Sequence, residues 1–235
     1  MKNWNDYWSK VIHKPIIDVL PQCMYRGTRT EPEASMLIAR MLDPVKDKFK
    51  EGFCLLDYGA GAGRVSNFVS ERLSDFTYYG LEPDTEHGKE GVAAANKYLH
   101  DSRCTFGLIE TDLESILSKR IDVVILISVF THLPIEDILE ILENLKKVFK
   151  ESESCSIIFT CYPSSTPKLI QPQFQISKNY HGESKIDISV IQKYCDENGL
   201  SLISYGSEWV DGRTAGLRQR YEHSIYEIKK ASNEN

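Results

Sequence analysis

The stretch LDYGAGAGR sets an acid, Asp57, ahead of three glycines at alternate positions, Gly59, Gly61 and Gly63, with Ala60 and Ala62 between them. Glycine has no Cβ and takes positive φ at no steric cost, so such a loop lets a ligand come close to the backbone. A dinucleotide, a phosphate and another cofactor are the candidates. The dinucleotide fingerprint G-x-G-x-x-G fails in both registers, because its third glycine falls on Arg64 or on Ser66. No Lys-Ser/Thr pair follows, so a P-loop is excluded. The remaining pattern is D-x-G-x-G-x-G. Farther along, Glu82 stands in YYGLEPD at the end of a strand-like run, Asp112 stands in IETDLES, and Ser128, Val129 and His132 fall in ISVFTHLP.

The elements that must hold these residues alternate. FCLLDYG, FTYYGLE, CTFGLIE, IDVVILISVF and SIIFTCY read as buried strands; LSLISYG and SIYEIKK bring the total to seven. RVSNFVSERL, EGVAAANKYL, PIEDILEILENLKKVFK (134–150) and ISVIQKYCDENG read as helices. IDVVILISVF is apolar on both faces, as a central parallel strand must be. The order predicts an α/β fold: a seven-stranded, mostly parallel, doubly wound sheet with helices on both faces. Ligands of such sheets bind beyond the carboxyl ends of the strands, where the glycine loop lies. Residues 1–50, broken by Pro15, Pro21 and Pro32, predict a helical N-terminal cap whose helix ends before Pro44. The domain proper then runs over 51–230, with an irregular insert at 163–186 and a tail at 231–235.

D-x-G-x-G-x-G on this frame resembles motif I of the class I S-adenosylmethionine-dependent methyltransferases, and residues 50–160 resemble that Rossmann-like family well. The resemblance implies S-adenosylmethionine as cofactor and S-adenosylhomocysteine as product. It implies that Asp57 reaches the cofactor's amino group and that Gly59, Ala60, Gly61 and Gly63 pass beneath it. Glu82, followed by Pro83, would accept both ribose hydroxyls, since a carboxylate offers two oxygens to a vicinal diol. Asp112 would meet the adenine amino group and the Leu113 N–H a ring nitrogen. Ser128, Val129 and His132 would line the floor beneath the methyl donor, and Arg26 would meet the cofactor's carboxylate. His132 is the candidate general base, because histidine titrates near neutral pH.

Each residue also has a purely structural reading. Asp57 and Asp112 suit helix caps, Ser128 a backbone partner, His132 the start of the next helix, and Arg26 a solvated loop. The acceptor is expected to be a small molecule. The Pro-Pro-aromatic signature of amino-group methylation on bases is absent after the fourth strand, as is a Pro-Cys pair. The net charge of −6 disfavours nucleic acid. Tyr7, Trp8, Tyr180 and His181 are the candidate substrate contacts. The dispersed histidines and unpaired cysteines predict no metal site. With no apolar run of bilayer length, no membrane partner is expected and a cytoplasmic location is. Two alternatives stay open: a catalytically silent cofactor-binding module serving a protein partner, and an NAD(P)-dependent oxidoreductase.

Overall fold

The computed structural model describes residues 42–163, 185–214 and 217–231, with backbone alone at Tyr98, His132, 207–214 and 217–223. Most of the expected cap and insert lies outside these residues. Over the described residues the fold is a mixed, mostly parallel α/β sheet with helices, and the chain divides into two compact units, Met1–Ile125 and Leu126–Asn235.

The first unit is built on β1 (Phe53–Tyr58), β2 (Phe76–Glu82) and β3 (Cys104–Leu108), with β4 (Val123–Leu126) carrying the chain into the second. All four are parallel, in the order β3-β2-β1-β4. Parallel neighbours need crossovers, and α1 (Arg64–Ser70), α2 (Glu86–Tyr98) and α3 (Ile109–Leu117) supply them after β1, β2 and β3. Leu55, Leu56, Val124 and Ile125 are fully buried. Each such side chain contributes about 1.5–3 kcal/mol of burial, so the centre of the sheet is the stiff part of the unit. The registers Asp57↔Gly80 and Leu81↔Gly107 bring the carboxyl ends of the three strands to one edge.

The second unit holds α4 (Ile135–Leu145), α5 (Val148–Glu151), β5 (Ser156–Pro163), β6 (Lys185–Ile186), α6 (Ile188–Glu197), β7 (Leu200–Thr214) and β8 (Leu217–Lys230). β8 runs antiparallel between β5 and β7, and β6 pairs with β5 in parallel. Glu227 of β8, fully buried, accepts hydrogen bonds from Ser156 of β5 and Tyr205 of β7, so one carboxylate ties three strands. Asp187 caps α6 through the Ser189 N–H, and Gly199 leaves it at φ 66°.

Several elements differ from expectation. The α-helix does end before Pro44, at Leu42, but a short 3-10 helix, Asp43–Lys48, follows at once with Pro44 in its first turn, since proline near a helix start gives up no ladder bond. The fourth strand ends at Leu126, where Ser128 takes a positive φ and turns the chain. The long helix expected over 134–150 is two, α4 and α5, with Pro134 just outside the first turn. α3 is unforeseen: its stripe of Ile109, Leu113, Ile116 and Leu117 was masked by the strand-like run before it. β7 and β8 are each about twice the expected length, and β6 makes an eighth strand.

Candidate functional site

β1 delivers Asp57 to the edge, and the residue is 2 % exposed. The Tyr78 hydroxyl of β2 donates to it at 2.5 Å. The loop then folds on its own donors: Gly59 and Ala60 N–H donate to the Leu81 carbonyl at 2.8 and 3.1 Å, and Gly63 N–H to the Ala60 carbonyl at 3.0 Å. Gly61 N–H donates to the Glu82 carboxylate. Gly61 and Gly63 carry φ of 59° and 85°, the left-handed region where side chains are strained. They differ in what surrounds them. A Cβ on Gly63 would lie 2.4 Å from Leu99, so that glycine is a packing requirement at the start of α1. A Cβ on Gly61 would meet no atom of the described residues within 4 Å, so among them the loop is bare there.

Two glycines that the sequence reading passed over complete the frame. On α2 a Cβ at Gly88 would fall 2.0 Å from the Pro83 carbonyl, and one at Gly91 would fall 3.1 Å from the Gly61 carbonyl. The helix is therefore seated directly on the backbone that carries Glu82, Pro83 and the loop. Thr85 caps it by accepting from Gly88 N–H at 2.8 Å. The signal was the i, i+3 spacing of small residues on a helix that follows the Glu82 turn.

Asp57 and Glu82 are both buried, and burial is the main force on each. It pushes the Asp57 carboxyl up to about 7, opposed by the Tyr78 hydrogen bond and by Arg64. It pushes Glu82 up to about 7, opposed by the Gly61 N–H and reinforced by the charge of Asp57. Removing an ionised carboxylate from water is costly unless partners replace the lost hydration. A loop edge with two such acids favours a ligand that brings a cation and hydroxyl donors.

Asp112 falls in the first turn of α3, not in a loop past the strand. Its Oδ2 accepts from Leu108 N–H at 2.8 Å and Thr111 Oγ1 at 2.9 Å, the capping geometry. Leu113 lies beyond that turn, where helix N–H groups are spent on the ladder, and its side chain is buried. Glu110 accepts from Asp84 N–H at 2.6 Å and ties this turn to the one after β2.

In the second unit Ser128 stands at φ 59°, the one non-glycine residue with positive φ among those described. Its N–H donates to Thr160 Oγ1 at 2.7 Å and its carbonyl accepts from Thr131 Oγ1 at 2.9 Å. Val129 is buried, and the His132 backbone ends the 3-10 turn Phe130–His132. Tyr7, Trp8, Arg26, Tyr180 and His181 lie outside the described residues. Among the described residues no three metal-ligating side chains converge, and no helix is long and apolar enough to cross a membrane.

Residues 56–152 match the family described as methyltransferase domain. Among solved structures the chain is similar to the magnesium protoporphyrin IX methyltransferase of Synechocystis PCC 6803 with bound SAM, at 16% identity and TM-score 0.60, covering 97% of this chain and 95% of that one. It is similar to an SAM-dependent methyltransferase of Anabaena variabilis at 14% identity and TM-score 0.62, covering 97% and 94%. It is also similar to a chain in the complex of the Trm112 methyltransferase activator of Haloferax volcanii, at 13% identity and TM-score 0.54, covering 86% and 95%. No curated protein matches the sequence.

Proposed function

We propose, from the premise that this chain is a methyltransferase of the S-adenosylmethionine-dependent, Rossmann-like class, that it methylates a small-molecule acceptor by in-line displacement. The observation that carries the cofactor is the bare left-handed loop at Gly61, opening between the buried carboxylates of Asp57 and Glu82. These residues fit S-adenosylmethionine. Its ammonium answers Asp57, its ribose diol answers Glu82, and the missing Cβ of Gly61 leaves the backbone open to it. Bound, it supplies an activated methyl group that an acceptor lone pair takes while the sulfur keeps the bonding electrons.

The chain's own work is alignment and exclusion of water. Asp57 holds the amino-acid end and Arg26 its carboxylate. Glu82 trades the Gly61 N–H for ribose hydroxyls, and the Pro83 turn fixes that carboxylate. Asp112, anchored by Leu108 N–H, presents its other oxygen to the adenine amino group. Ser128 and Val129 border the methyl, and His132 takes the acceptor's proton where the nucleophile must lose one. Tyr7, Trp8, Tyr180 and His181 contact the acceptor, from the cap over 1–50 and the insert over 163–186. The small-molecule reading is supported by the net charge of −6 and the lack of a base-methylation motif after β4. Scattered free cysteines, Cys54, Cys104, Cys155, Cys161 and Cys195, support a reducing, cytoplasmic setting.

A radiolabelled methyl-transfer screen against separate pools of metabolites, RNA and protein tests the reading. Label is expected in the metabolite pool and to survive chelator. Label confined to RNA or protein overturns the acceptor class. S-adenosylhomocysteine binding with no label in any pool returns the silent module.

A further inference from the structure

Tyr78 is fully buried in β2, two residues before Gly80. It stands opposite Leu55, and Gly80 stands opposite Asp57. Partners across parallel strands share a face, and residues two apart on one strand share it too. The Tyr78 ring therefore lies on the Asp57 side of the sheet and must run along β2, over Gly80, for its hydroxyl to reach the carboxylate. The neighbourhood is cut to that path. A Cβ on Gly80 would fall 2.9 Å from the Tyr78 ring and 2.6 Å from Phe106. Phe106 of β3, in register with Gly80, packs its ring 5.5 Å from that of Tyr78. Ring packing alone accounts for a glycine at 80, but not for a 2.5 Å hydrogen bond from the phenol to an acid 2 % exposed.

We infer that Tyr78 is a positioning residue: its hydroxyl, aimed by Gly80 and Phe106, fixes the Asp57 carboxylate so that its remaining oxygen faces the ammonium of the cofactor's amino-acid end. This rests on the proposed cofactor. The phenol donates and the carboxylate accepts, and a hydrogen bond to an ionised group is short and strong. One oxygen of Asp57 is thereby committed and the carboxyl plane set before ligand arrives, which lowers the ordering cost of binding.

The test is Tyr78→Phe, which keeps the ring and removes only the hydroxyl, read by calorimetry with two ligands. S-adenosylhomocysteine carries the ammonium; 5′-methylthioadenosine has the same nucleoside and lacks the amino-acid end. The variant is expected to bind S-adenosylhomocysteine about tenfold more weakly, the range for losing a hydrogen bond to a charged group. Its affinity for methylthioadenosine should be unchanged. A merely structural role would weaken both ligands alike, and an equal loss, or no loss, overturns the inference while leaving the cofactor assignment standing. A wild-type chain that binds neither ligand overturns both. Should Tyr78→Phe fail to fold, the wild type still decides. Its Tyr78 hydroxyl proton, buried in a short hydrogen bond, is expected to give a low-field NMR signal that moves with S-adenosylhomocysteine and stays put with methylthioadenosine. Equal movement with both ligands refutes the role.

Discussion

The two units differ in how their candidate residues are held. In the first, the glycine loop is held through its own backbone groups, with the Tyr78 hydroxyl fixing Asp57 beside it. Gly59 and Ala60 share the Leu81 carbonyl, Gly61 reaches Glu82, and α2 rests on the loop through Gly91. In the second, Ser128 is held by two side-chain hydroxyls, Thr160 and Thr131, at a φ its residue type disfavours. A site held by backbone tolerates few residue types, so it leaves a mark in the sequence. One held by interchangeable hydroxyls leaves almost none. The first arrangement suits a cofactor of fixed shape, and the second suits an acceptor side free to change.

The sharpest way to break this contrast is Gly61→Val. Valine at φ 59° is strained, and its branches enter the open space beside the loop. Affinity for S-adenosylhomocysteine is expected to fall more than about a hundredfold, or roughly 2.7 kcal/mol. Far-ultraviolet circular dichroism should still report a folded chain, since no atom of the described residues lies within 4 Å of the new Cβ. Near-wild-type affinity would mean that the loop is a turn and nothing more.

His132→Ala should separate binding from chemistry. Turnover is expected to drop about a hundredfold, the lower end for general acid–base catalysis, with the Kd for S-adenosylhomocysteine unmoved. Unchanged turnover would return His132 to the helix start that follows it. Glu82→Gln stays in the first unit and reads smaller. A neutral amide offers one acceptor oxygen to a diol that wants two, so S-adenosylhomocysteine should bind about ten- to a hundredfold more weakly. A change under twofold would remove Glu82 from the ribose.

The raised carboxyls give the comparison a pH signature. Asp57 and Glu82 both titrate near 7 in the folded chain, above their usual range. The folded state then holds more protons than the unfolded one between about pH 4 and pH 7. Stability from these two groups is therefore full below about pH 4 and lost as pH rises through about 7. Asp101 opposes this only in acid, because Arg103 holds its carboxyl well below the usual range. Binding a cation and a diol favours both ionised forms. Calorimetry of S-adenosylhomocysteine binding in two buffers at pH 7 should show a net release of protons. Proton uptake would contradict the assignment.

How much was legible in the sequence follows the same division. The first strands, the glycine loop and Glu82 were plain because burial on both sheet faces and left-handed turns each demand particular residue types. Asp112 was readable as a helix cap, which its bonds to Leu108 N–H and Thr111 bear out, but the full length of α3 was hidden by the strand-like run before it. Tyr78 and Gly80 were missed because each matters through a contact across strands, which has no short-range pattern; Gly91 was missed although its i, i+3 spacing from Gly88 was there to read. The length of β7 and β8 was missed because LSLISYG ends at Gly206, which reads as a stop. In the structure Gly206 sits at φ 85° in a register shift between Ser204 and Ser207, and the ladder continues beyond it.

The smallest expected effect is the most direct test of the second unit. Ser128 at φ 59° costs about 1–2 kcal/mol relative to an ordinary backbone. Both hydrogen bonds that fix it use its own backbone, the N–H to Thr160 and the carbonyl from Thr131, and both survive in Ser128→Gly. Glycine relieves the strain but adds freedom to the unfolded chain, which returns part of the gain. The net should be a stabilisation of about 0.5–1 kcal/mol, or roughly 1–4 °C in Tm for a chain of this size. Strain retained at such a cost points to use, so turnover should fall in the same variant while S-adenosylhomocysteine affinity holds. Ser128→Val should move stability the other way, because a β-branched residue tolerates this φ worst. If Ser128→Gly were both more stable and fully active, the turn after β4 would be an accident of packing, and the acceptor side would have to be sought elsewhere in the chain.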